Sequence, residues 1–120
     1  MAITTTSIPV GKFGFMSNSC SADVSGAETL VAAPTTGKQI VVDIIILNST
    51  AAIALSIGEG EGVPGTLDTT YLGPVEFSAL QTITWNFQSR GGMVLTANTL
   101  LGIDADGAGN ICCFVSGRIE

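Results

Sequence analysis

The sequence contains no histidine. That removes the side chain most used as a general base, as the activator of a serine or cysteine nucleophile, and as a metal ligand. Charge is scarce as well, at 12% of residues, where about 25% is usual for a globular chain. The basic residues are four, Lys12, Lys38, Arg90 and Arg118, scattered along the chain against ten acidic ones, for a net charge of −6. Nucleic acid and anionic membrane surfaces, both gripped by Lys and Arg, are therefore not expected partners. Aromatic residues are few, with one Trp and one Tyr, which leaves little for stacking on sugars. No stretch has apolar residues at i, i+3, i+4 and i+7, so no amphipathic helix is expected. Met1–Val10 lacks both a basic start and a long apolar run, so no secretory leader is expected there. Cysteine is limited to Cys20, Cys112 and Cys113, too few for a disulfide scaffold. Adjacent residues of a strand point to opposite faces, so Cys112 and Cys113 should not bridge each other. Pairing of Cys20 with either one stays open, and buried free thiols made in a reducing compartment are the simpler expectation.

What the sequence does have is apolar residues, at 46% of a 120-residue chain. The mean hydropathy is +0.52. A single domain of this size buries only about two-thirds of its surface. The apolar surplus therefore predicts surfaces that pack against other protein chains, with the negative charge maintaining solubility.

Short apolar runs of period two recur throughout, separated by Gly, Asn, Asp and Ser clusters, which is the pattern of an all-β sandwich or barrel. Gln81–Gln88 is the clearest strand, with Ile83, Trp85 and Phe87 on one face and Thr82, Thr84 and Asn86 on the other. In the strand from Ala52 to Ile57, Ile53, Leu55 and Ile57 point inward. The segment Ile40–Ile57 is apolar enough to test as a membrane span, but Asp43, the polar Asn48-Ser49-Thr50 and its β-branched content make two strands and a turn the better account. In Lys38–Leu47, strict alternation puts Ile40, Val42, Ile44 and Ile46 on one face and Val41, Ile45 and Leu47 on the other. Asn110–Ile119 is similarly apolar on both faces. Further strands are expected at Gly14–Ser19, Thr29–Ala33, Leu67–Leu72, Val75–Ala79, Met93–Ala97 and Leu100–Asp104. Ser89-Arg90-Gly91-Gly92 and Asp106–Gly109 have hairpin or loop chemistry. The expected fold is a jelly-roll-like antiparallel β-sandwich of about eight short strands. Residues 11–120 form its single domain, and residues 1–10 an extended N-terminal arm.

No constellation of residues makes a convincing catalytic, cofactor or metal site. Gly60–Gly65 formally matches G-x-G-x-x-G, yet no helix follows, a proline interrupts it, and Glu59 and Glu61 would repel a pyrophosphate. Asp104–Asn110 has alternating oxygen ligands but lacks a third ligand and a closing Glu, so a turn explains it better than a calcium loop. Glu59 and Glu61 are expected to be solvated loop carboxylates first and a cation site second. Asn48-Ser49-Thr50 is a formal glycosylation sequon and is expected to be a turn.

Three stretches carry a resemblance: Gly91-Gly92-Met93-Val94-Leu95, Asn98-Thr99-Leu100-Leu101-Gly102-Ile103, and Gly109-Asn110-Ile111 through Val115-Ser116-Gly117-Arg118-Ile119-Glu120. With the upstream Val41–Ala54 hairpin and the Gly-rich loop, residues 38–120 resemble the small jelly-roll cement or decoration proteins of tailed bacteriophages. The resemblance implies a non-enzymatic virion protein, made in the bacterial cytoplasm, that binds the major capsid protein on the outside of the head as a homotrimer. It carries over no catalytic residue and no cofactor. A receptor- or carbohydrate-binding module of a tail or head fibre is the alternative. Candidate subunit or capsid contacts are the outward apolar positions Val41, Ile45, Leu47 and Phe114, for which cover by a second sheet of the same chain is an equal alternative, together with Ile3, Ile8 and Val10 of the arm. The arm would add backbone hydrogen bonds to a neighbour's open sheet edge.

Overall fold

β-branched runs between turn residues become strands throughout the chain. The computed structural model describes residues 4–8, 14–21, 26–63 and 65–120. In chain order the strands are β1 (Thr4–Ile8), β2 (Gly14–Ser21), β3 (Gly26–Val31), β4 (Ile40–Ser49), β5 (Ala54–Glu59), β6 (Thr69–Glu76), β7 (Gln81–Asn86), β8 (Met93–Val94), β9 (Leu101–Ala105) and β10 (Ile111–Ile119). A 3-10 turn, Gln88–Arg90, separates β7 from β8.

Among the described residues all pairings are antiparallel, and they nest. β2 pairs with β10, β3 with β9, β4 with β7 and β8, and β5 with β6. The chain is thus one long hairpin rolled up so that successive pairs fall alternately in two sheets, which is a jelly roll. The larger sheet has the order β1-β2-β10-β4-β7, with β8 also on β4, and the smaller has β3-β9-β5-β6. Ile40, Val42, Ile45, Leu47, Ile111, Cys113 and Val115 of the larger sheet meet Leu55, Ile57, Leu101 and Ile103 of the smaller in one buried core. Thr4–Ile8 of the expected arm forms a strand on the chain's own β2.

The face assignment in β4 needs correcting. Opposite β10, the register shifts between Ser116 and Gly117, which leaves Asp43 without a partner. This is a β-bulge, and it inverts the alternation on either side of itself. Ile40 and Val42 before it, and Ile45 and Leu47 after it, therefore all face the core. Ile45 and Leu47 are 0% exposed within the single chain, so they are not outward contact residues. Val41 is also buried, at 1% exposure. A Cβ on Gly92 would lie 2.5 Å from Val41 Cγ1, so the Gly91-Gly92 segment closes over Val41. At Gly117 a Cβ would collide with the Val41 carbonyl oxygen, so glycine permits β10 to pass close to β4 beyond the bulge.

β7 leaves β4 at the same point. Asn86 pairs with Ile44 and Met93 with Val42, so the chain makes an excursion over Phe87–Gly92 opposite Asp43 and then rejoins. Ser89–Gly92 is thus an interruption in one edge of the sheet, with Gly91 at φ 81 and Gly92 at φ 98, rather than a hairpin between separate strands. Elsewhere, the expected strands Leu67–Leu72 and Val75–Ala79 merge into β6, and Met93–Ala97 shortens to Met93–Val94. The β8–β9 loop is tied down by Asn98, whose Oδ1 accepts from Gly37 N at 2.7 Å.

Cys20 and Cys112 face each other across β2 and β10 and form a disulfide. Cys113 points the other way, into the core, where burial pushes its thiol pKa up. The expectation of three free thiols is corrected: the register resolves the choice in favour of Cys112, because only that cysteine shares Cys20's face. The bridge joins residues 92 positions apart, and so restricts nearly the whole unfolded chain. Replacing both residues, Cys20→Ser with Cys112→Ser, is expected to lower unfolding free energy by about 2–4 kcal/mol while the β-sheet circular dichroism is kept. Denaturant midpoints with and without reductant check this.

Candidate interaction surface

The two outer faces of the sandwich differ in chemistry. On the larger sheet, cross-strand register defines three rows: Cys20, Cys112, Asn48 and Thr82; then Asn18, Phe114, Ile46 and Thr84; then Met16, Ser116, Ile44 and Asn86. No ionisable acid or base stands in these rows. Met16, Phe114, Ile46 and Ile44 make a half-buried apolar strip, framed by Thr, Asn and Ser. Asn48 Nδ2 donates to Thr82 Oγ1 at 2.8 Å, so the sequon asparagine is a strand residue engaged across the sheet.

The smaller sheet and its loops hold Glu28, Glu59, Glu61, Asp68, Glu76, Asp104 and Asp106. Lys38, Arg90 and Arg118 instead lie in or beside the larger sheet, past the Asp43 bulge. There Arg118 contacts Asp43 at 3.3 Å and Glu120 at 2.7 Å, and its Nη2 donates to the Gly91 carbonyl at 3.2 Å. These pairs are half-exposed and worth little individually. They fasten the excursion to β10.

Of the contact residues expected from sequence, Phe114 lies on this outer face. Val41, Ile45 and Leu47 do not contribute to it, for the reasons above. Ile8 stands opposite Met16 in β1, and Ile3 and Val10 lie outside the described residues. Ile44 and Ile46, which strict alternation assigned to the same face as Ile40 and Val42, are the residues that flank Phe114 and Met16. Nothing in the apolar pattern alone signals the change of face, although an acidic residue inside an otherwise apolar strand is the mark a bulge leaves.

Glu59 is not a solvated loop carboxylate: it is 5% exposed. Tyr71 Oη donates to Oε1 at 2.6 Å, Thr96 Oγ1 to Oε1 at 2.7 Å, and Thr96 N to Oε2 at 2.7 Å. Burial alone would raise the Glu59 pKa, but these hydrogen bonds together outweigh it and hold the carboxyl below its ordinary value. Burial and the adjacent carboxylate push Tyr71 upward. With both oxygens accepting hydrogen bonds, Glu59 ties β5, β6 and the β8–β9 loop together. The Gly60–Asp68 loop beside it is closed by Asp68, whose N donates to the Gly60 carbonyl at 3.0 Å and whose Oδ1 accepts from Gly62 N at 3.0 Å. Gly60 and Gly62 leave room for that carboxylate, which a Cβ on either would meet.

A hollow of about 220 Å³ on the smaller sheet is lined by Ala54, Ser56, Pro74, Glu76, Asp104 and Asp106. Asp106 Oδ1 accepts from Ala54 N at 2.9 Å, anchoring the β9–β10 turn. Burial, then the Asp106 charge, raises the Asp104 pKa. Among the described residues no group of three or more His, Cys, Asp or Glu is placed to hold a metal ion. No helix among them is long and apolar enough to cross a membrane.

The fold and surface define a class: a jelly-roll module with a neutral, apolar-striped face backed by an acidic one. Comparison with protein-family models, curated proteins and solved structures gives no match.

Two carboxylates make opposite predictions. Glu59 has a depressed folded-state pKa, so its contribution is present above its ordinary value of 4.5 and is lost as pH falls through the lower folded-state value. Tyr71→Phe is expected to cost about 1–2 kcal/mol at neutral pH and to move acid unfolding to higher pH, read from pH titrations of circular dichroism. Asp104 has a raised folded-state pKa, so its ionisation opposes folding at neutral pH and the penalty is relieved on acidification. Asp104→Asn is expected to raise Tm at pH 7, with the gain gone below pH 3.8, the group's ordinary value; calorimetry at both pH values checks it.

Proposed function

We propose that the chain is a non-enzymatic virion structural protein of the cement or decoration type, which binds the major capsid protein on the outside of a phage head. The observation that carries this is the segregation of charge. A chain of net charge −6 gathers its carboxylates mainly on the smaller sheet and confines charge on the larger sheet's outer face to the Asp43–Arg118 end, leaving uncharged the three rows that carry Met16, Ile44, Ile46 and Phe114. Such a face buries against protein without stranding a charge. Repeated on a symmetric lattice, many modest contacts of this kind add through avidity. The resemblance over residues 38–120 supports the same role; the homotrimer it implies is not carried into this proposal, because the β7 sheet edge favours a pair of copies. The absence of histidine and the full engagement of Glu59 support a role without catalysis.

A receptor- or carbohydrate-binding module ranks second. The hollow beside Asp104 offers carboxylates for sugar hydroxyls, but no aromatic residue lines it for stacking.

Titrating the chain onto capsid shells assembled without it tests the proposal. Saturable binding is expected, and Phe114→Asp or Ile46→Asp should weaken it at least about 30-fold, as for a central interface anchor, with Tm little changed. Binding indifferent to both substitutions would remove this face from the interface.

A further inference from the structure

An antiparallel sandwich has sheet edges, and edges with free backbone groups invite another strand unless something blocks them. Among the described residues, three of the four edges carry obstructions or lie beside segments outside that set. β6 has Pro74, Glu76 and two register irregularities against β5. β3 has Glu28 and an irregularity of its own, and Ala27 N already donates to the Gly65 carbonyl of the loop beside it. β1 borders residues outside the described set on both sides. β7, Gln-Thr-Ile-Thr-Trp-Asn, has no charge, no proline and an unbroken register with β4. Among the described residues it pairs with β4 alone.

The hydrogen-bond parity of β7 is determined by its last contact with β4. Phe87 N donates to the Asp43 carbonyl at 2.7 Å, and antiparallel pairs alternate between bonded and non-bonded positions. Gln81, Ile83 and Trp85 therefore bond to β4, while Thr82, Thr84 and Asn86 direct their N–H and C=O groups away from the sheet. The same three residues are exposed. Ile83 and Trp85, on the core side, are only half-buried, because no further strand covers them at this margin. Leu80, which opens the same edge, is 79% exposed.

We propose that β7 is a pairing edge for a second copy of this chain, joined antiparallel about a two-fold axis at Thr84. This deepens the assembly role proposed above by naming a contact between copies, and it rests on that role only for its setting. The register follows from the parity. Bonded positions must meet bonded positions, and the one alignment that engages Thr82, Thr84 and Asn86 together sets Thr84 against the partner's Thr84 and Thr82 against the partner's Asn86. Trp85 then stands directly opposite the partner's Ile83 at a non-bonded position, where side chains approach most closely, and an aromatic against a β-branched residue is a favourable cross-strand pair. The contact is self-complementary and closes at two copies, whereas joining β7 to a neighbour's β1 is heterologous and propagates unless a ring happens to close. It brings no carboxylate of β7 against another, since β7 has none, and it leaves the apolar strip at Phe114 free for the shell.

The test uses the full chain. Light scattering is expected to give a mass near twice 12.2 kDa at concentrations where Thr84→Pro and Thr84→Lys give the monomer, each weakening association at least about 30-fold. Proline at 84 removes only an outward N–H, and lysine sets like charges face to face on the axis, so the two fail for different reasons if folding is disturbed. Oxidation of Thr84→Cys should yield a covalent dimer, because self-opposed bonded positions lie about 5.5 Å apart, within disulfide range; Thr82→Cys alone, opposite asparagine, should not. A monomer at all concentrations overturns the inference. So does a trimer that survives Thr84→Pro and Thr84→Lys and yields no Thr84→Cys dimer. In either case shell binding and its sensitivity to Phe114→Asp are read independently, so the failure of one proposal is distinguishable from the failure of the other.

Discussion

β4 is paired along both of its long edges, and Asp43 is the one residue that interrupts the ladder on each side. Opposite β10 it is an extra residue; opposite β7 and β8 it faces the Phe87–Gly92 excursion. Much of the structure depends on that interruption. It turns Ile40 and Val42 to the same side as Ile45 and Leu47, and so gives the core four buried side chains from one strand. It places a carboxylate on the outer side where Arg118 reaches it, and it opens the space that Gly92 fills over Val41. Without it, half of β4 would present isoleucines and valines to water and the other half to the core.

The second organising feature is the separation of charge between the sheets. The nested pairing puts β3, β5, β6 and β9 together, and these strands with their loops contain most of the acids. The strands of the larger sheet contribute Thr, Asn, Ser and a few apolar residues to its outer face, with the Asp43–Arg118 pair at one end. The acids face solvent or, like Glu59, are held by internal donors. The uncharged rows and the β7 edge belong to the same sheet.

The all-β class and most strand positions are legible in period-two runs such as Gln81–Asn86, because a strand with one wet and one buried face must alternate. The jelly roll follows less directly: strand number and spacing suggested it, whereas the nesting of β2 with β10 and β3 with β9 is a matter of contacts far apart in sequence. Turn chemistry at Ser89–Gly92 was legible as a break but not as an excursion within one sheet edge, because a local sequence does not say whether the chain reverses or resumes its path. Glu59 looked like a loop acid because its donors, Tyr71 and Thr96, lie in other elements.

By itself the sequence determined the material of this protein: no histidine chemistry, little charge and a high share of apolar residues set in strands. Those are properties of composition and local periodicity, which act on each segment separately. Only the tertiary structure decided which apolar residues are core and which are surface. It placed Ile44 and Ile46 outside and Ile45 and Leu47 inside, and it brought Cys20 to Cys112 rather than to Cys113. Each of these turns on register between distant strands, and a displacement of one residue in register inverts every side chain beyond it.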